Sequence, residues 1–142
     1  MAVKISSAAF RIVSLNVRVV SNLKKNAPFS HGVAETMQMR FFFLQVMHSN
    51  KATGNQWQRE WGGRMLFSHG SPNSCGTAIL INNKANCTVL CTVLDPLGRF
   101  IISKVKVDDK VYVLVNIYAP NKDKDSILFF LRNSILCFKL KI

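Results

Sequence analysis

The chain has 142 residues, is 49% hydrophobic and carries a formal net charge of +12 from 19 Lys+Arg against 7 Asp+Glu. Such a length fits one domain with a real core, and such a hydrophobic content excludes a disordered polymer. The charge favours polyanions such as nucleic acid or an acidic membrane surface. No apolar run reaches the length of a bilayer span, since the most apolar stretch, 127–138, is short and holds Arg132.

Residues 1–34 contain Lys4, Arg11, Arg18, Lys24 and Lys25 and no acid, a composition that suits an organelle transit peptide. Phe10 to Val20, however, is rich in Val and Ile and reads as a buried strand, which leaves 1–9 as an N-terminal extension. Ser21 to Arg40 is a poor helix, interrupted by Pro28 and Gly32. Phe41 to Met47 reads as a second buried strand. A short helix is expected around Gln56 to Trp61, stopped by Gly62 and Gly63.

Arg64 to Ser68 and Thr77 to Ile81 read as strands, separated by a Gly-, Ser-, Pro- and Asn-bearing loop. A meander follows. Cys87 to Leu94 is a strand, and Asp95-Pro96-Leu97-Gly98 has the residues of a type I turn. In Arg99 to Val107 the alternation sets Ile101, Ser103, Val105 and Val107 on one face and Ile102, Lys104 and Lys106 on the other. Asp108-Asp109-Lys110 turns the chain into a third strand, Val111 to Ala119. Asp125 or Ser126 would cap a last helix from Ile127 to about Phe138.

The four cysteines, Cys75, Cys87, Cys91 and Cys137, lack zinc-type spacing. Cys87 and Cys91 lie four apart, so on a regular strand both would share a face as core thiols. Nothing suggests secretion, so the thiols are expected to be reduced.

Three apolar strands end in polar residues: Ile12-Val13-Ser14-Leu15-Asn16-Val17-Arg18, Phe43-Leu44-Gln45-Val46-Met47-His48-Ser49 and Asn116-Ile117-Tyr118-Ala119-Pro120-Asn121. A rigid sheet fixes polar groups at its strand ends, which is where active sites are often built. The order and wording of these segments resemble the endonuclease/exonuclease/phosphatase superfamily, and within it the apurinic-type endonuclease domain of LINE-type retrotransposons. Glu60-Trp61-Gly62-Gly63, then Phe67-Ser68-His69-Gly70-Ser71, Asn73-Ser74, Gly76 and Ala78-Ile79-Leu80-Ile81, resemble retrotransposon endonucleases more specifically still.

The resemblance covers roughly residues 11–131. It implies an α+β fold, a partial four-layer α/β/β/α sandwich of the deoxyribonuclease-I type with mostly antiparallel strands, over 10–131. Residues 132–142 are then a divergent tail. It also implies that 21–40 holds the first helix.

Phosphodiester hydrolysis needs charge neutralisation on the phosphate, an activated water and help for the leaving oxygen. In the family magnesium is held by a Glu at the end of the second strand. The resemblance puts Asn16, Tyr118 and Asn121 at the phosphate-contacting positions. It puts Val46 at the Glu position, where an alkyl side chain offers no lone pair.

No Asp or Glu lies between Thr36 and Arg59 to stand in, and Glu60 is expected on the surface. The family's later Gly-Asp-Phe-Asn and Asp-His motifs do not occur, while Asp108, Asp109, Asp123 and Asp125 read as turn and cap residues. His48 follows the Glu position closely enough to be weighed as a base, but a lone His is more often structural or exposed; His69 and His31 receive no assigned role.

The expectation is thus a truncated, inactive relative of a magnesium-dependent DNA endonuclease that does not itself bind Mg²⁺. It is expected to be marginally stable, with one sheet incomplete, and to self-associate or need a completing chain. Two alternatives are a nuclease active only when completed by another chain, and a noncatalytic module binding DNA through Lys104, Lys106, Lys110, Lys122 and Lys124. No membrane or small-molecule cofactor is expected, and the implied setting is intracellular, with the nucleus suiting a DNA partner.

Overall fold

The computed structural model describes residues 2–6, 11–16, 41–45, 49–70 and 76–118. Strands β1 (Ala2–Ser6), β2 (Arg11–Asn16), β3 (Phe41–Gln45), β4 (Arg64–Ser68) and β5 (Thr77–Ile81) form one sheet in the order β1-β2-β3-β5-β4. A second sheet holds β6 (Cys87–Leu94), β7 (Phe100–Val107) and β8 (Lys110–Ile117) in that order. The β2–β3 pair is parallel and the other described pairs are antiparallel. Helix α1 (Lys51–Trp61) packs on the outer face of the first sheet.

Sequence dictates these layers directly. β3 and β5 read Phe-Phe-Phe-Leu-Gln and Thr-Ala-Ile-Leu-Ile, apolar on both faces, as strands covered on both sides must be. Phe42, Leu44, Ala78 and Leu80 meet Trp57 and Met65 under α1. Phe41, Phe43, Ile79 and Ile81 face Ile101, Val105, Val107 and Leu114 of the second sheet. Trp57 and Trp61, one helical turn apart, sit against Phe67 and Phe42, with ring centroids 6.4 and 5.4 Å apart.

The helix begins earlier than the Gln56 start expected. Asn50 caps it: its Oδ1 accepts from Thr53 N at 3.0 Å, and Thr53 Oγ1 accepts from Asn50 N at 2.9 Å. This reciprocal pair nucleates the first turn despite Gly54. Gly62, in the left-handed region at φ 74°, closes the helix.

β2 is described from Arg11 to Asn16 and β3 from Phe41 to Gln45, inside the longer strands expected. β1 falls within the segment read as an extension and pairs with β2 along its whole length, Ala2 opposite Leu15 and Ser6 opposite Arg11. The meander follows expectation. Gly98 N donates to Asp95 O at 3.0 Å in the first turn. Asp108 and Asp109 both take positive φ, 47° and 72°, in a two-residue hairpin loop that matches the twist of β7 and β8.

One expectation on the thiols is corrected. Register slips between Val89 and Cys91, so a bulge at Leu90 breaks the alternation of β6. Cys87 packs against the core between the sheets, whereas Cys91 lies opposite Lys104 on the outer face and is exposed. The two therefore do not share a face.

The elements expected at 21–40 and 127–138 lie outside the described residues, as do Cys75 and Cys137. Among the described residues no helix is long and apolar enough to cross a membrane.

Candidate functional site

Register places the ends of four strands side by side. Asn16 pairs with Gln45, Gln45 with Thr77, and Thr77 with Ser68. Along the face turned to the second sheet, the residues change from Ile12, Phe41, Phe43, Ile79 and Leu66 to Ser14, Gln45, Thr77 and Ser68. The layer between the sheets is thus apolar for most of its length and polar at one end.

The second sheet meets that end through Asn116, which is 1% exposed. Its Nδ2 donates to Leu44 O at 3.0 Å and to Ala78 O at 2.8 Å, both in the first sheet. Its Oδ1 accepts from Gln45 Nε2 at 2.6 Å, and the same nitrogen donates to Ser14 Oγ at 3.0 Å. One network thereby fixes β2, β3, β5 and β8 relative to one another, and both amides have their orientation determined by partners on either side.

A second connection runs beside it. Ser68 Oγ donates to Asp95 O at 2.5 Å, and the Asp95 carboxylate grips Arg99 through Nε at 2.6 Å and Nη2 at 3.1 Å. Burial pushes the Asp95 carboxyl up, but the Arg99 hydrogen bonds and charge, with backbone amides, outweigh it and hold it below the usual carboxylate range. Arg99 O in turn accepts from Tyr118 N at 2.6 Å, which anchors the start of the Tyr118 segment.

His69, just past β4, stacks on Phe67 with ring centroids 5.1 Å apart, and its Nδ1 lies 2.9 Å from the buried Ser49 Oγ. Burial lowers its pKa, so the ring is neutral near pH 7. Sequence reasoning gave His69 no role, read Asp95 only as a turn residue, and named Gln45, Ser49 and Asn116 only as parts of polar strand ends. The available signal was polar residues on otherwise apolar strands, which only burial turns into an obligation to pair.

The expected site residues distribute as follows. Asn16 ends β2 beside Gln45, and Tyr118 follows β8, half-buried at the same end. Val46, His48, Asn121, Lys122, Lys124 and His31 lie outside the described residues. Lys104 and Lys106 stand opposite Val113 and Val111 on the outer face of the second sheet, away from the strand-end cluster. Lys106 Nζ lies 3.5 Å from Asp109 Oδ1 and Lys110 opens β8. Glu60, expected on the surface, is half-buried, with its Oε1 accepting from Gln56 at 3.0 Å.

This donor set does not fit magnesium. Ser14, Gln45 and Asn116 offer hydroxyl and amide oxygens already engaged with one another, and among the described residues the nearby carboxylate, Asp95, is paired with Arg99. Among the described residues no three His, Cys, Asp or Glu side chains converge to hold a metal.

No family model matches the chain. Over 88 residues, 62% of the chain, it is 32% identical to the Transposon TX1 uncharacterized 149 kDa protein of Xenopus laevis, a match spanning 7% of that protein. In three dimensions it is similar to the AP endonuclease LMAP from Leishmania major, with a TM-score of 0.59, 20% identity, and coverage of 78% of this chain and 40% of that one. It is also similar to humanized D. rerio TDP2, with a TM-score of 0.55, 17% identity, and coverage of 92% and 55%. The chain thus spans about half or less of the length of these relatives. The likenesses show the fold alone, a mixed α+β sandwich of the deoxyribonuclease-I type.

Proposed function

We propose that this chain is a retrotransposon-derived relative of magnesium-dependent DNA endonucleases that does not itself hydrolyse phosphodiesters. The transposon relative and the endonuclease-like fold support the lineage. One observation carries the inactivity: Gln45 is locked into the strand-end network, and the residue that follows it in the chain is Val46, not an oxygen donor.

Magnesium, when bound in such a site, would neutralise the phosphate and activate water. Asn16 and Tyr118 would line the phosphate position, with Asn121 beside them. Without a carboxylate at the Val46 position to hold the ion, those groups have no reaction to assist.

The test is to express residues 1–142, establish folding by circular dichroism, and assay plasmid nicking in magnesium with and without chelator. Neither the native chain nor Val46→Glu is expected to nick, because one added carboxylate leaves Ser14, Gln45 and Asn116 engaged with one another. Nicking by the native chain that stops on chelation overturns the proposal.

The net charge of +12 favours a second reading, noncatalytic DNA binding through Lys104, Lys106, Lys110, Lys122 and Lys124. Affinity that falls steeply with salt and without cleavage supports it, and salt-insensitive binding or none removes it.

A further inference from the structure

The strand-end cluster occupies one end of the sandwich, and a cleft of about 570 Å³ lies at the other. Register fixes the separation. Thr77 lies opposite Gln45 at the start of β5, and Ile81 lies opposite Phe41 and Arg64 at its end, about 13 Å further along the strand. The cleft is walled by the end of α1, the starts of β4 and β6, and the turn that joins β5 to β6.

Its volume and lining are those of a small-molecule site, an apolar floor with a few polar groups. Ile81 belongs to the core between the sheets, and Ala85 and Cys87 pack against that core. Arg64 pairs with Ile81, so its side chain leaves β4 on the face that carries Leu66 into the same core. The guanidinium is exposed, and no carboxylate among the described residues pairs with it. Its charge reaches the Cys87 thiol, which it draws down against the effect of burial. Among the described residues no Asp or Glu lines the cleft, and Asn83 adds an exposed amide. An arginine that only blunts an edge strand needs neither the cavity nor the amide beside it.

We propose that this cleft binds a nucleoside monophosphate, with Arg64 forked onto the phosphate, the base laid on Ile81 and Ala85, and Asn83 at the edge of the base. A guanidinium engages two phosphate oxygens at once, in a fixed plane. The floor offers apolar contact to a flat ring. A side-chain amide presents donor and acceptor together, the pattern that base edges match. A bare inorganic anion would use the arginine and leave the floor and the amide idle. The cleft shares no residue with the strand-end cluster, so the proposal is independent of the nuclease reading.

A chain of charge +12 also holds nucleotides loosely at scattered surface cations, so the experiment reads the cleft itself. Equilibrium dialysis of the full chain is run against adenosine monophosphate, adenosine and inorganic phosphate at near-physiological salt. One site per chain is expected, tighter for the monophosphate than for either fragment by about tenfold or more. Arg64→Gln, at an exposed position, should weaken the monophosphate by about tenfold or more while the circular dichroism stays native. Lys51→Gln removes the same charge at the far end of α1 and should change nothing.

Cys87 supplies a second readout. In a background with Cys75→Ser and Cys137→Ser, the monophosphate should slow labelling of Cys87 by a disulfide reagent several-fold and leave the exposed Cys91 unaffected. Equal affinity for inorganic phosphate and the monophosphate, an Arg64→Gln variant that binds as the native chain does, equal weakening by Lys51→Gln or an unprotected Cys87 overturns the proposal.

Discussion

Gln45 Nε2 donates to Asn116 Oδ1 at 2.6 Å across the gap between the two sheets, joining residues 71 apart in the chain. Asn116 is buried, so its amide has no water to fall back on. Asn116→Leu removes the acceptor for Gln45 and the donors to Leu44 O and Ala78 O. A loss of about 2–4 kcal/mol is expected, larger than an exposed amide would give. In urea titrations, Gln45→Ala and Asn116→Ala should also couple by about 1 kcal/mol or more. Strict additivity of the two would show that the bond does not join the sheets energetically.

Gly54→Ala sets helix propensity against packing. In an exposed helix Ala would gain up to about 1 kcal/mol over Gly. Here the new Cβ would lie 2.7 Å from His69 Cε1 and 3.2 Å from Nε2. The ring is stacked on Phe67 and bonded to Ser49, so it cannot give way freely. Overpacking of this kind costs about 1–3 kcal/mol, and net destabilisation is expected. Adding His69→Ala should relieve the clash. A stabilised Gly54→Ala would mean that α1 shifts off β4 at little cost.

The burial of His69 also sets a pH dependence. Its folded pKa lies below the ordinary 6.5, so the unfolded chain takes the proton first. Its contribution is complete above that ordinary value and is lost as pH falls toward the folded pKa. Unfolding free energies measured from about pH 8 to about pH 5 should decline on the acid side. His69→Gln should flatten that decline, and an unchanged slope in the variant would remove His69 as its source.

Asp95 acts further into acid. Its folded pKa lies below the ordinary 3.8, so its stabilisation is present above that value and disappears as pH falls through the folded one. Arg99→Met removes the ion pair and leaves burial unopposed, so the acid-unfolding midpoint should move to higher pH. A midpoint that stays in place would mean that the turn, rather than the ion pair, carries this corner of the fold.

Much of this architecture is legible in the sequence because it rests on local rules. The strands at 64–68, 77–81 and 87–94, and the hairpin at Asp108-Asp109, follow from period and turn chemistry. The start of α1 rests on a local signal as well, the Asn50–Thr53 capping box, which an expected start at Gln56 leaves out. The Gln45–Asn116 contact was not legible, because register in two separate sheets decides which strand ends meet. The bulge at Leu90 was hidden for a related reason: nothing in Thr88-Val89-Leu90-Cys91 marks where pairing slips, and the slip alone decides which thiol is buried.

That slip gives a chemical test. Cys91 is exposed on the outer face, while Cys87 is half-buried between the sheets. Burial pushes the Cys87 thiol up, with Arg64 opposing only in part. Thiolate is the reacting species, so Cys87 is disfavoured both in access and in ionisation. In a background with Cys75→Ser and Cys137→Ser, a disulfide reagent at neutral pH should label Cys91 at least about tenfold faster than Cys87. Mild urea should raise the Cys87 rate steeply and the Cys91 rate little, since only Cys87 waits on opening of the sandwich. Equal rates in native buffer would place both thiols on one face and remove the bulge.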